Sequence, residues 1–241
     1  MPFLDIVLLY GAGENSIDYY TIYVYNAAIN SVNDGKEIKM WTEGGSFYSW
    51  CIDPLLSGIR EAMRRMIDPG CSVVDIACGT GAFAFSIADM SPRVVGVELL
   101  PQLVACADRA NMHYRHQHVQ FLHRDASSMP EIDDDEFDYA TISMALHQMD
   151  EESRGAVLSE AKRISRRIIL ADYAVPLPKG AAGISARTVE FLAGPAHFRG
   201  FRSFMRGGGL GSLMADNGLY PEREGSAGAG IFRIVRCAPH R

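Results

Sequence analysis

The sequence predicts an α/β protein: a doubly wound, mostly parallel seven-stranded sheet that ends in an antiparallel hairpin. Three observations carry this reading. Between residues 71 and 171, short Val- and Ile-rich runs alternate with helix-patterned stretches, the rhythm of right-handed βαβ units. The first such run ends in a turn with two glycines, Gly79-Thr80-Gly81, and a helix pattern follows at once. Beyond Gly218, runs at 219–224 and 230–237 flank Gly225-Ser226-Ala227-Gly228-Ala229, which reads as a hairpin.

The elements follow in order. Residues 1–46 form an extension, with a strand-like run at 3–10 and four tyrosines (Tyr19, Tyr20, Tyr23, Tyr25) at 18–29. Packing against the domain is its expected role; a cap over the site and a homodimer contact stay open. The main domain is expected at 47–241, opening with an amphipathic helix over 47–66. Strands are expected at 72–77, 93–97, 118–122, 137–143 and 167–171. Helices are expected at 82–89, at 101–110 with Pro101 in its first turn, and at 151–164 behind the cap Asp150. An acidic turn at 131–136 precedes the fourth strand. In the tail a helix begins near Ser185, Gly207-Gly208-Gly209 breaks it, and a short helix at 210–217 stops at Gly218.

Composition bounds the function. The chain has 241 residues, 48% hydrophobic and 22% charged, with a net charge of −6. That acidic balance argues against a broad grip on nucleic-acid phosphates. No apolar run nears the roughly 18 residues of a membrane span, and residues 3–10 make a poor leader, so a cytoplasmic protein is expected. Arginines outnumber acidic residues two to one between Arg187 and Arg241, which reads as solvated surface. Cys51, Cys71, Cys78, Cys106 and Cys237 have no paired spacing and read as reduced thiols. The crowd of His113, His116, His118 and His123 reads as a helix end running into a strand; no metal site is expected.

The chemistry concentrates at strand ends. In Val73-Val74-Asp75-Ile76-Ala77-Cys78-Gly79-Thr80-Gly81 a strand enters a glycine turn, where backbone without Cβ atoms lets a ligand approach. Asp75, just before that turn, suits a cationic amino-acid moiety better than a pyrophosphate, which it would repel. Glu98 ends the next strand, where a carboxylate accepts both hydroxyls of a ribose. Asp125, after the third strand, is placed to accept from an adenine amine. These clues point to an adenosine-containing cofactor.

These residues resemble the class I S-adenosylmethionine-dependent methyltransferases, within them the small-molecule branch that includes the ubiquinone/menaquinone-biosynthesis type. The resemblance runs from about Phe47 to Cys237, through residues 73–81, Gly96-Val97-Glu98, Arg124-Asp125-Ala126 and 136–149. It implies a Rossmann-like fold with S-adenosyl-L-methionine as cofactor and S-adenosyl-L-homocysteine (SAH) as product. It places Asp75, Ala77, Cys78, Gly79 and Gly81 around the methionine end, Glu98 at the ribose with Leu99 beside the adenine, and Asp125 with Ala126 at the adenine edge. Ser143, Met144 and His147 then line the methyl-transfer site, with Tyr48 folding over the cofactor. The family often has glycine where Ala77 and Cys78 stand. No Asn/Asp-Pro-Pro-Tyr/Phe follows the fourth strand, which argues against methylation of adenine or glutamine amino groups.

The expected reaction is methyl transfer to O, C or N of a small organic acceptor. His147 is the candidate base or acceptor-positioning group, with packing against the cofactor as the equal alternative; Tyr173 and His197 are candidate lining. The stretch 176–207 lies where the family places an acceptor-covering insertion. Its Phe191, Phe198, Phe201 and Phe204 suit an apolar acceptor, although their helical spacing favours core. A cofactor-binding protein without catalysis and, more remotely, a nicotinamide oxidoreductase stay open.

Overall fold

The computed structural model describes residues 53–240. Tyr48, Cys51, the extension 1–46 and the start of the leading helix lie outside them. Helix α1 (Asp53–Arg64) precedes β1 (Val73–Ile76), α2 (Ala82–Ser86), β2 (Val94–Glu98), α3 (Pro101–Tyr114), β3 (Val119–His123) and β4 (Phe137–Ser143). A 3-10 turn at Leu146–Gln148 leads to α4 (Glu151–Ile164) and β5 (Ser165–Tyr173). Helices α5 (Ala181–Leu192), α6 (Pro195–Arg206) and α7 (Gly209–Asp216) separate β5 from the hairpin β6 (Leu219–Ala227) and β7 (Phe232–Pro239).

The seven strands lie in the order β3-β2-β1-β4-β5-β7-β6. The first five are parallel, and β7 inserts antiparallel between β5 and β6. Every residue of β1 and β2 is buried, as expected of strands covered by helices on both faces. The chain steps outward from β1 to β3 and returns on the other side of β1 as β4. That reversal opens a crevice at the carboxyl ends of the strands. Register puts those ends level: Ile76 pairs with Val97 and with Ile142, and Ser143 with Ala171.

Local chemistry explains the elements. Asp150 caps α4 by accepting from the Ser153 N–H at 2.8 Å, with Glu151 and Glu152 in the first turn and Lys162 and Arg163 in the last, all matching the helix dipole. Val157, Leu158, Ala161 and Ile164 face the core. Helix α2 stops at Ser86, whose hydroxyl donates back to the Phe83 carbonyl, so it is shorter than the expected 82–89. Strand β5 is longer than expected at both ends. Its arginines find partners, Arg166 on Asp138 at 3.0 Å and Arg167 on Glu222 at 3.0 Å, so charge does not end the strand. Helix α5 begins four residues before Ser185. Gly183 lies so near Pro178 that a Cβ would stand 2.1 Å from its carbonyl oxygen, so this glycine serves packing and not a loop.

Phe201 and Phe204 are core, whereas Phe198 is half-buried and Phe191 is 65% exposed. Cys71, Cys78, Cys106 and Cys237 are free of disulfides. Among the described residues no helix is long and apolar enough to cross a membrane.

Candidate active site

Two groups of residues share the carboxyl rim of the sheet. The first is built on the loop from β1 to α2. Ala77, Gly79 and Gly81 all take positive φ (56°, 57° and 80°), so the backbone turns sharply over the strand end. A Cβ on Gly79 would meet nothing within 4 Å, which leaves an open cradle above the loop. At Gly81 a Cβ would stand 2.5 Å from the Phe121 ring, and at Gly96 also 2.5 Å from it. Only glycine lets this phenylalanine pack beneath the loop.

Glu98 ends β2 beside the cradle, 8% exposed. Its two carboxylate oxygens accept from the Gly79 N–H at 2.9 Å and the Leu100 N–H at 3.0 Å. Each oxygen keeps lone-pair capacity for a ligand hydroxyl, and the backbone holds the group ready. Leu99 and Leu100, next in chain, are 59% and 45% exposed, an apolar shelf beside the acid. Asp75 lies deeper and accepts from the Thr141 hydroxyl at 2.7 Å. Burial, with Glu98 adding repulsion against the Thr141 bond, pushes its carboxyl up to about 7. Burial and the same two carboxylates also push the Cys78 thiol well up, so it is a packing group. Asp125 is exposed beyond β3. Its Oδ1 accepts from the Ser127 N–H at 2.9 Å, and bonding to Ser127 holds its carboxyl below the usual range. Ala126 beside it is half-buried.

The second group gathers at the ends of β4 and β5. Ser143 and Met144 are half-buried, and Met144 turns with φ 53°. His147, on the 3-10 turn, is 1% exposed. Its Nδ1 lies 2.8 Å from Asp172 Oδ1, and its backbone N–H donates to Asp172 Oδ2 at 3.1 Å. The other ring nitrogen, Nε2, is 3.6 Å from Glu190 Oε1 and has no hydrogen-bond partner. Glu190, on α5, also accepts from the Tyr173 hydroxyl at 2.7 Å and pairs with His197 Nδ1 of α6 at 2.8 Å. Burial alone would lower the His147 pKa, yet Asp172 and Glu190 outweigh it and hold it above the ordinary value. Burial alone would raise that of Glu190, yet His197, His147 and Tyr173 hold it below.

Arg154 of α4 fastens this group. It donates to the Leu146 carbonyl at 2.8 Å and to the Gly200 carbonyl at 2.9 Å, tying the 3-10 turn to α6. The contact is close enough that a Cβ on Gly200 would lie 2.8 Å from the His147 carbonyl oxygen.

Residues 73–167, the span from β1 into β5, match the model of a family described as "Methyltransferase domain". A demethylmenaquinone methyltransferase from Clavibacter sepedonicus is 30% identical over 122 residues, 48% of each chain. The chain thus spans about half the length of the curated relatives it matches. Two solved structures show the same fold at low identity. A SAM dependent methyltransferase from Aquifex aeolicus superposes with a TM-score of 0.57 at 15% identity, covering 88% of this chain and 96% of that one. Magnesium protoporphyrin IX methyltransferase from Synechocystis PCC 6803, with bound SAH, gives 0.56 at 17%, covering 92% and 97%. The chain shares the fold of these methyltransferases, and its β1–β5 span matches the methyltransferase-domain family.

On this fold the sequence-named residues Asp75, Ala77, Cys78, Gly79, Gly81, Glu98, Leu99, Asp125, Ala126, Ser143 and Met144 all sit on one rim. His147, Tyr173 and His197 come together in the buried second group. Sequence reasoning missed Thr141, Arg154, Asp172 and Glu190. Two of them carried a signal: Asp172 is an acid directly after the apolar run 168–171, and Glu190 stands between Val189 and Phe191. The histidines His113, His116, His118 and His123 take no part; His116 and His118 meet edge to face near the end of α3, far along the sheet from β5.

Proposed function

We propose that this chain transfers a methyl group from S-adenosylmethionine to a small organic acceptor. The observation that carries the reading is Glu98, a carboxylate fixed by two backbone amides beside an open glycine cradle and an exposed leucine shelf. Those features fit an adenosine ribose with its base lying on Leu99. Asp75 lies beneath the cradle, where a ligand ammonium would favour its ionised form. Asp125 has an exposed carboxylate oriented by Ser127 for an adenine edge. When bound, S-adenosylmethionine supplies an electrophilic methyl on a sulfonium. The protein's part is then to align the acceptor in line and exclude water.

The acceptor side is the β4–β5 end of the rim beneath α5 and α6. Tyr173, Phe198 and His197 give it aromatic character there, which suits an apolar or aromatic acceptor. The Clavibacter relative, named for a quinone-type substrate, points the same way. His147, fixed by Asp172, is a positioning group on that side and not a base in exchange with solvent, because it is buried between two carboxylates. The acidic net charge and the lack of a spanning helix among the described residues support a cytoplasmic enzyme acting on small molecules.

A thermal-shift series with SAH and with NADH tests the reading. SAH is expected to raise the melting temperature in a concentration-dependent way, as binding to the native state alone must, while NADH leaves it unchanged. Stabilisation by NADH alone would transfer the Glu98 site to nicotinamide chemistry.

A further inference from the structure

The polar group under the covering helices contains a feature that the methyl-transfer reading leaves unexplained. His147, Glu190 and His197 each offer one ligating atom, and the three atoms lie within 4.8 Å of one another. They come from three separate elements: the 3-10 turn, α5 and α6.

The decisive detail is at His147 Nε2. Asp172 accepts at Nδ1, so Nε2 is the atom turned toward the Glu190 carboxylate, fully buried and without a hydrogen bond. A proton shared between Nε2 and Glu190 would draw the two atoms to the roughly 2.7–3.2 Å of an N–H···O bond. They stand 3.6 Å apart. Two ligands of one tetrahedral ion with bonds of about 2.0–2.1 Å are separated by roughly 3.4 Å. The gap therefore suits two donors facing a common cation better than a hydrogen bond. A buried nitrogen with no partner is also the kind of group that an ion explains.

The surroundings complete the pattern. Asp172 on the far nitrogen of His147 makes the carboxylate–histidine arrangement that fixes a ligating imidazole, and the Tyr173 hydroxyl steadies Glu190. Asp172 already has the Arg154 guanidinium nearby, so the buried Glu190 carboxylate is the charge that a cation between the histidines would offset. We propose that His147, Glu190 and His197 bind a divalent transition-metal ion of the zinc type, as a two-imidazole, one-carboxylate set with room for a fourth ligand. The ion pins α5 and α6 to the end of β4. To close on it the donors draw together by about an ångström, within reach of side-chain rotation. The site does not depend on the methyl-transfer reading.

The test uses the full chain, stripped with a chelator and titrated with Co²⁺ followed by absorption and with Zn²⁺ by calorimetry. One equivalent is expected to bind, with a d–d spectrum of low-symmetry N/O coordination and a raised melting temperature. Glu190→Gln and His197→Gln are each expected to weaken binding by at least roughly tenfold. Should Glu190→Gln fail to fold, His197→Gln decides, since that side chain lies toward the surface at 17% exposure. SAH binding by the variants, measured separately, reports whether the cofactor half survives. No stoichiometric binding by the parent overturns the site. Equal binding in a folded variant overturns it too, because the metal would then sit elsewhere.

Discussion

The two halves of the rim are made in opposite ways. The β1–β3 half is a backbone device: three positive-φ residues, two amides on Glu98 and glycines that admit Phe121, with Asp75 and Glu98 buried at the loop and only Asp125 exposed. The β4–β5 half is a side-chain device, in which Asp172, His147, Glu190, Tyr173, His197 and Arg154 satisfy one another in the interior. A backbone site presents a fixed geometry to its ligand. A buried side-chain network can be exchanged residue by residue, which under the proposed function is where the acceptor side would be tuned. The difference predicts that damage to the first half costs binding, and damage to the second costs stability.

The largest effect is expected at Asp172. Asp172→Ala leaves His147 and the nearby Arg154 without their buried counter-charge, so unfolding free energy should fall by about 3–5 kcal/mol in urea titrations. A loss below about 1 kcal/mol would break the contrast, since surface ion pairs are worth that little.

Gly200→Ala comes next. Its Cβ meets the backbone carbonyls of His147 and Gln148, so α6 must lift from the 3-10 turn. A cost of about 1–3 kcal/mol is expected in the same titration, with SAH affinity little changed. If SAH affinity fell while stability held, the two halves would not be separable.

A pH series sharpens the comparison from the other side. Asp75 titrates near 7 in the folded protein against 3.8 in the unfolded chain. Between those values the native state holds more protons, so this group's contribution to stability is complete below about 4 and is lost as pH rises through 7. Relative to the parent, Asp75→Asn should therefore gain up to about 1.4 kcal/mol per pH unit across that window, read by chemical denaturation. A difference that does not change with pH would mean that Asp75 is ionised throughout, with no burial penalty to relieve.

The same contrast explains what was legible in the sequence. The β1 strand, its glycine turn and Asp75 occupy nine consecutive residues, and Glu98 follows within one βαβ unit, so local pattern alone aligned them. Strand β4 was read to its exact bounds because an acidic turn precedes it and its residues are almost all apolar or buried. The second half draws on residues 147, 154, 172, 190 and 197, and no local spacing ties them together. Only the β5 register and the fold-back of α5 and α6 bring them into contact. Gly183 and Gly200 were silent for a related reason: what they do, admitting close approach of backbone, exists only in three dimensions. The aromatic residues of α5 and α6 divided for the same cause, Phe201 and Phe204 facing inward and Phe191 outward.

The central claim is that Glu98 holds a ribose at the end of β2, and calorimetric titration of SAH into the parent and into Glu98→Ala tests it most directly. Saturable binding by the parent, weakened by roughly thirty- to a hundredfold in a variant with an unchanged unfolding profile, is the predicted result, the scale of one or two lost charge-assisted hydrogen bonds. SAH binding of equal strength in both proteins, or none to the folded parent, would contradict it.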